Sequence, residues 1–115
     1  MIAIGLALLF AILQDGNAAA PQPTPIRPSL WLVEADYPAE AFKRHEQGVV
    51  FFTLDVDVRG RVSNCTVTTS SGSPSLDAET CTIVAKRGRF KPARDGGGNA
   101  VPSTWSSRFA WTIPR

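Results

Sequence analysis

Residues 49–69 read VVFFTLDVDVRGRVSNCTVTT, and this stretch decides the fold. From Val49 to Val58, Phe52, Leu54, Val56 and Val58 alternate with Phe51, Thr53, Asp55 and Asp57. Period two predicts a strand with one face in a core and the other in water. Arg59-Gly60 predicts a tight hairpin turn, with a second strand from Arg61 to about Thr69. The inward set of that second strand changes parity between Val62 and the pair Cys65 and Val67, so a bulge is expected near Ser63-Asn64.

Downstream, Ser70 to Pro74 reads as a loop and Ser75 as the N-cap of a helix. Asp77 and Glu79 then lie near its positive end, and Lys86-Arg87-Gly88 closes it. Leu76, Thr80, Ile83 and Val84 form its apolar stripe, with Cys81 at the margin, where it can reach Cys65 if the helix crosses the second strand. After Phe90, Pro92 and a loop through Gly96-Gly97-Gly98, Trp105, Ser107, Phe109, Trp111 and Ile113 alternate with Ser106, Arg108, Ala110 and Thr112. This is a third strand, ended by Pro114. Upstream, Pro38 suits the first turn of a short helix through Ala39, Glu40, Ala41, Phe42, Lys43 and Arg44, stopped by Gly48, with Ala41 and Phe42 inward. The order helix, strand, strand, helix, strand predicts an α+β domain over residues 35–115, two helices packed on a three-stranded antiparallel sheet.

The 115 residues allow one domain. Ile2 to Leu13 is almost wholly apolar, and Ala18-Ala19-Ala20 supplies small residues before a proline-rich run, so residues 1–20 read as a secretory signal peptide, or as a short anchor if retained. No Lys or Arg precedes the apolar run, and no cysteine follows the small residues to carry a lipid. Pro21, Pro23, Pro25 and Pro28 make residues 21–34 a linker and lead-in, with Leu30 to Val33 packing loosely on the domain. The expected location is the periplasm, with a tether to the inner membrane if the segment stays. Cleavage would remove Asp15 and leave nine of the ten acids against twelve Lys and Arg. So small an excess disfavours nucleic acid. Lys86, Arg87, Arg89, Lys91 and Arg94 gather five cations within nine residues, either to meet an anionic polymer, headgroup or partner, or simply as a solvated helix end. In an oxidising compartment Cys65 and Cys81 form a disulfide by default, stabilising by roughly 3 kcal/mol through loop closure. Metal or redox chemistry is the alternative, without the Cys-x-x-Cys spacing that would support it.

Residues that could carry chemistry are few. Asp55-x-Asp57-x-x-Gly60 opens like a calcium loop, but Arg59 and Arg61 stand where further oxygen donors belong. His45, the single histidine, has no nucleophile elbow to serve. Asp77 and Glu79 point in different directions at helical spacing two, and Ser70-Ser71-Gly72-Ser73 lacks the lysine of a phosphate loop. Neither catalysis, cofactor, metal nor small-molecule substrate is expected. A three-stranded sheet, by contrast, has two edges with unpaired N–H and C=O groups. Trp105 to Ile113 lies at the chain end, where an extended peptide could add as a strand, unless Arg108 and the flanking prolines protect it.

Tyr37-Pro38-Ala39-x-Ala41, Gly48-Val49-Val50, Val56-Asp57-x-x-Gly60-x-Val62, Ser70-Ser71-Gly72, Leu76-Asp77, Phe90-x-Pro92-Ala93 and Gly98 occur in an order and spacing that resembles the TonB C-terminal domain family over residues 35–114. The resemblance implies a last strand that accepts the TonB box of an outer-membrane receptor, or a segment of another envelope protein, in TonB-dependent transport. A full transducer of that family would carry a membrane helix with a histidine and a long proline-rich spacer. Neither is seen here, so a stand-alone domain is expected. The competing expectations are a cell-wall-contacting module using Lys86 to Arg94, and a small hydrolase using His45.

Overall fold

The computed structural model describes residues 20–114. In chain order its elements are β1 (Thr24–Pro25), 3-10 turns at Pro28–Leu30 and Glu34–Asp36, α1 (Ala39–Lys43), β2 (Gly48–Val56), β3 (Val62–Thr69), α2 (Pro74–Arg87), β4 (Phe90–Lys91), β5 (Ala93–Arg94), β6 (Ala100–Val101) and β7 (Ser103–Trp111). The main sheet is antiparallel in the order β3, β2, β7. The α+β fold is therefore the one expected, with the sequence's strongest strand at its centre. The expected signal peptide or anchor lies, except for Ala20, outside the described residues.

Alternation sets the core. Val50, Phe52, Leu54 and Val56 of β2 are buried against Leu76, Thr80, Ile83 and Val84 of α2, while Val49 and Phe51 face outward on the side no helix covers. The helix lies across β3 and β2, and Cys65 bonds Cys81 with their Cα atoms 5.6 Å apart. The bulge sits where parity broke: Val56 opposes Val62 and Asp55 opposes Asn64, leaving Ser63 unmatched.

Several expectations are corrected. Ser73, not Ser75, caps α2, its Oγ accepting from the Leu76 N–H at 3.2 Å, because Pro74 takes the first helical position, where no N–H is needed. Val58 is 46% exposed: the Asp57 carboxylate accepts from the N–H groups of Arg59 and Arg61, turning the chain just after β2 ends. Phe42 is 49% exposed, since five-residue α1 has room to bury only Ala41, and its ring rests edge-on against Tyr37. Within residues 93–101, read as loop, β5 and β6 pair around the turn that Asp95 organises by accepting from Gly97 and Asn99.

The largest difference concerns residues 21–34. β1 pairs with β4, placing Thr24 opposite Lys91, and the Ile26 N–H reaches the Arg89 carbonyl at 2.8 Å. Trp31 and Leu32 are buried core residues, not loose cover. The Trp31 indole donates to the Ile26 carbonyl, and the Arg87 guanidinium donates to the Trp31 carbonyl and to Asp36 at 2.8 Å. Prolines that block a long ladder still allow two residues of edge pairing.

Candidate functional site

β7 pairs with β2 from Gly48 opposite Trp111 to Val56 opposite Ser103 without any shift of register. Among the described residues, no strand and no loop carbonyl or N–H pairs with its other edge. The result is a straight nine-residue ribbon with alternate main-chain groups unspent. The expected span of Trp105 to Ile113 is moved back by two residues. Thr112 and Ile113 lie beyond the strand, where the Ile113 N–H donates to Gln47 Oε1 at 2.8 Å.

Rigidity comes from beneath. Trp105, Ser107, Phe109 and Trp111 face inward, while Thr104, Ser106, Arg108 and Ala110 face water. Trp105 packs on Phe90 and Trp31 at centroid distances of 5.3 and 5.7 Å, and Trp111 packs on Tyr37 and Phe109 at 5.1 and 5.0 Å. The Trp111 indole donates to Thr80 Oγ1 at 2.8 Å, and that hydroxyl donates to the Leu76 carbonyl. A ribbon pinned this way needs little ordering when it binds. Two clefts flank it on the core side, one of about 230 Å³ between Trp31, Leu32 and Ser107, the other of about 180 Å³ between Leu32, Tyr37 and Ala110. The lead-in's part in walling them was not legible in the sequence, although a tryptophan and a leucine amid prolines were the signal.

The motif residues hold the frame. Tyr37 donates its hydroxyl to the Glu46 carbonyl, and burial raises its pKa. Pro38 precedes α1, and a side chain at Gly48 would strike Ser71. Gly60, at φ +80°, lies so close to the Phe90 carbonyl that a Cβ has no room. Phe90 is core, Pro92 separates the short strands β4 and β5, and Leu76 is fully buried. Asp77 occupies the serine loop itself: burial raises its pKa, but hydrogen bonds from Ser70 and Ser71 outweigh this and leave it lowered. The loop thus cradles the protein's own anion. Asp57 is held low in the same way by the N–H groups of Arg61 and Arg59. His45 is exposed at φ 57°, just past α1. The five-cation run does not form one patch: Arg87 bridges Asp36, Arg89 donates to the Lys86 and Gly88 carbonyls and Arg94 to the Gly98 carbonyl, leaving Lys86 and Lys91 without a side-chain hydrogen bond among the described residues.

The family model for the C-terminal region of the Gram-negative bacterial TonB protein matches residues 33–113. The chain is similar to the TonB C-terminal domain of Pseudomonas aeruginosa, known from a solution NMR structure, at 27% identity and a TM-score of 0.59, over 86% of this chain and 92% of that one. None of the curated proteins matches. With the family match spanning most of the chain, this protein belongs to the TonB C-terminal domain family.

Proposed function

We propose that the chain binds an extended segment of an envelope protein as a fourth strand along β7, the first candidate being the TonB box of an outer-membrane receptor in TonB-dependent transport. Membership of the family makes it a TonB-like protein-interaction module of the bacterial envelope. The observation that carries the finer reading is the unbulged, unpaired edge from Ser103 to Trp111. Main-chain hydrogen bonds would supply affinity there, and the two flanking clefts would accept the visitor's inward side chains. In this reading Trp105, Ser106, Ser107, Arg108, Phe109, Ala110 and Trp111 are the contact strand, with Thr112 and Ile113 at its exit. The protein works in the periplasm by binding, without catalysis or cofactor, and residues 1–20 act as its leader or tether.

Titration with a TonB-box peptide while following amide NMR signals tests this. Shifts confined to residues 103–111, absent on β3, support it; unmoved β7 amides at saturating peptide would refute it. Mass spectrometry of the mature protein decides between leader and tether. His45→Ala is expected to leave binding intact.

A further inference from the structure

We propose that Arg59, Arg61, Arg89 and Lys91 form a basic face that docks the domain on anionic phospholipid headgroups. Arg61 and Arg89, far apart in sequence, are partners in an isolated antiparallel bridge, and the Phe90 N–H donates to the Gly60 carbonyl at 2.9 Å. That bond pattern makes Arg61 and Arg89 a non-hydrogen-bonded pair, the narrow kind, whose side chains rise together on one face. Phe90 and Val62 alternate with them and point into the core, so the arginines point out. Lys91 follows Arg89 by the same step of two, Arg59 stands in the turn just before Arg61, and all four residues are exposed.

Like charges directly opposite each other destabilise a sheet. Relief within the molecule is partial: the Arg89 guanidinium donates to the Lys86 and Gly88 carbonyls at 3.0 and 2.8 Å, while among the described residues the ion pairs involve Lys43, Arg44 and Arg87 and none of these four. Asp57, the carboxylate nearest in the turn, accepts from the main chain of Arg59 and Arg61 with its Oδ1. The close approach itself is enforced, since Gly60 has no space for a side chain against Phe90. Cations held this close without an ion pair of their own would gain from an external anion. Guanidinium forks match phosphate oxygens two at a time.

The path of the chain selects a membrane over a soluble acidic partner. Thr24 lies opposite Lys91, so the amino-terminal segment leaves the body beside this face. Leu13, the end of the apolar run, is eleven residues earlier, within roughly 40 Å even if fully extended. Where that segment stays on the chain as a tether, a basic face within its reach supplies the second of the two signals that stable membrane attachment requires. The face is separate from the edge of β7, and its test does not depend on what docks there.

The experiment is co-sedimentation of the full chain with vesicles of phosphatidylglycerol and phosphatidylcholine, compared with pure phosphatidylcholine. The difference between the two compositions is the readout, because the apolar segment contributes to both. Arg61→Gln with Arg89→Gln should weaken the phosphatidylglycerol-dependent part about thirtyfold, whereas Arg61→Lys with Arg89→Lys should keep most of it. If the glutamine pair melts early, Arg59→Gln with Lys91→Gln replaces it, since neither side chain makes a hydrogen bond among the described residues, and a similar loss is expected. Equal sedimentation on both compositions, or an undiminished glutamine variant, overturns the proposal. So does binding to polyglutamate or isolated cell wall without binding to the anionic vesicles.

Discussion

The sheet has two outer strands, and they are built on opposite plans. β3 is broken twice, with Ser63 and Thr68 unmatched in its pairing with β2, and it is bonded covalently to α2 through Cys65. β7 keeps register with the same neighbour over nine residues and carries one charge, Arg108. Bulges are a common way to stop an edge from recruiting foreign strands. Their presence on one side and absence on the other shows that the regularity of β7 is not a limitation of the fold. One edge is closed by irregularity, and the other stays open at a standing risk of aggregation that a binding role would justify.

Experiments that act on one edge at a time can break that contrast. Trp111→Ala removes the side chain that pins β7 to Thr80 and Tyr37, and should cost about 4 kcal/mol in urea denaturation. Cys65→Ser with Cys81→Ser acts on the β3 side: it should cost about 3 kcal/mol and speed amide exchange in β3. Peptide binding at β7 should survive it wherever the domain remains folded, and loss of binding in a folded variant would merge the two edges into one unit. Prolines at Ser106 and, separately, at Ser107 necessarily remove one outward N–H of β7. One of the two should weaken peptide binding by about tenfold or more, while Thr66→Pro on β3 leaves it unchanged once stability is matched.

Acid should separate the frame from the ribbon. The pKa of Asp77 is lowered in the fold, as is that of Asp36, where the hydrogen bond from Arg87 is the leading cause. A carboxylate with a depressed folded pKa contributes stability above its unfolded value, near 3.8, that is lost as pH falls through the folded one. Denaturation midpoints should therefore begin to drop as pH approaches about 4 and keep falling below it, and less so in Asp77→Asn. The smallest effect belongs to Arg108→Ala: its guanidinium stands 5.9 Å from the Phe51 ring on the open face, a contact worth about 0.5 kcal/mol.

What was legible followed local rules. Period two marked the inward faces of β2 and β7, and the parity change at Val62 located the bulge at Ser63. Spacing along α2 picked out its four buried residues and put Cys81 within reach of Cys65. Misreadings came where neighbours in space outvoted neighbours in sequence. Phe42 and Val58 satisfy an apolar pattern, yet their elements end before a core forms around them. The prolines of residues 21–34 suggested a linker, but Trp31 found aromatic partners in Phe90 and Trp105. Ser73 was the better cap because Pro74 follows it, a signal present in the sequence and passed over for Ser75.

By itself the sequence determined which side chains face inward, because alternation and helical spacing are properties of adjacent residues. It also carried the family motif, in which Gly48 and Gly60 answer to close contacts that permit no Cβ. Only the tertiary structure decided that β2 lies between β3 and β7, and hence which main chain remains unpaired. It alone brought Arg61 beside Arg89. Strand order and cross-strand neighbours depend on long-range closure of the whole chain, and no local pattern encodes them.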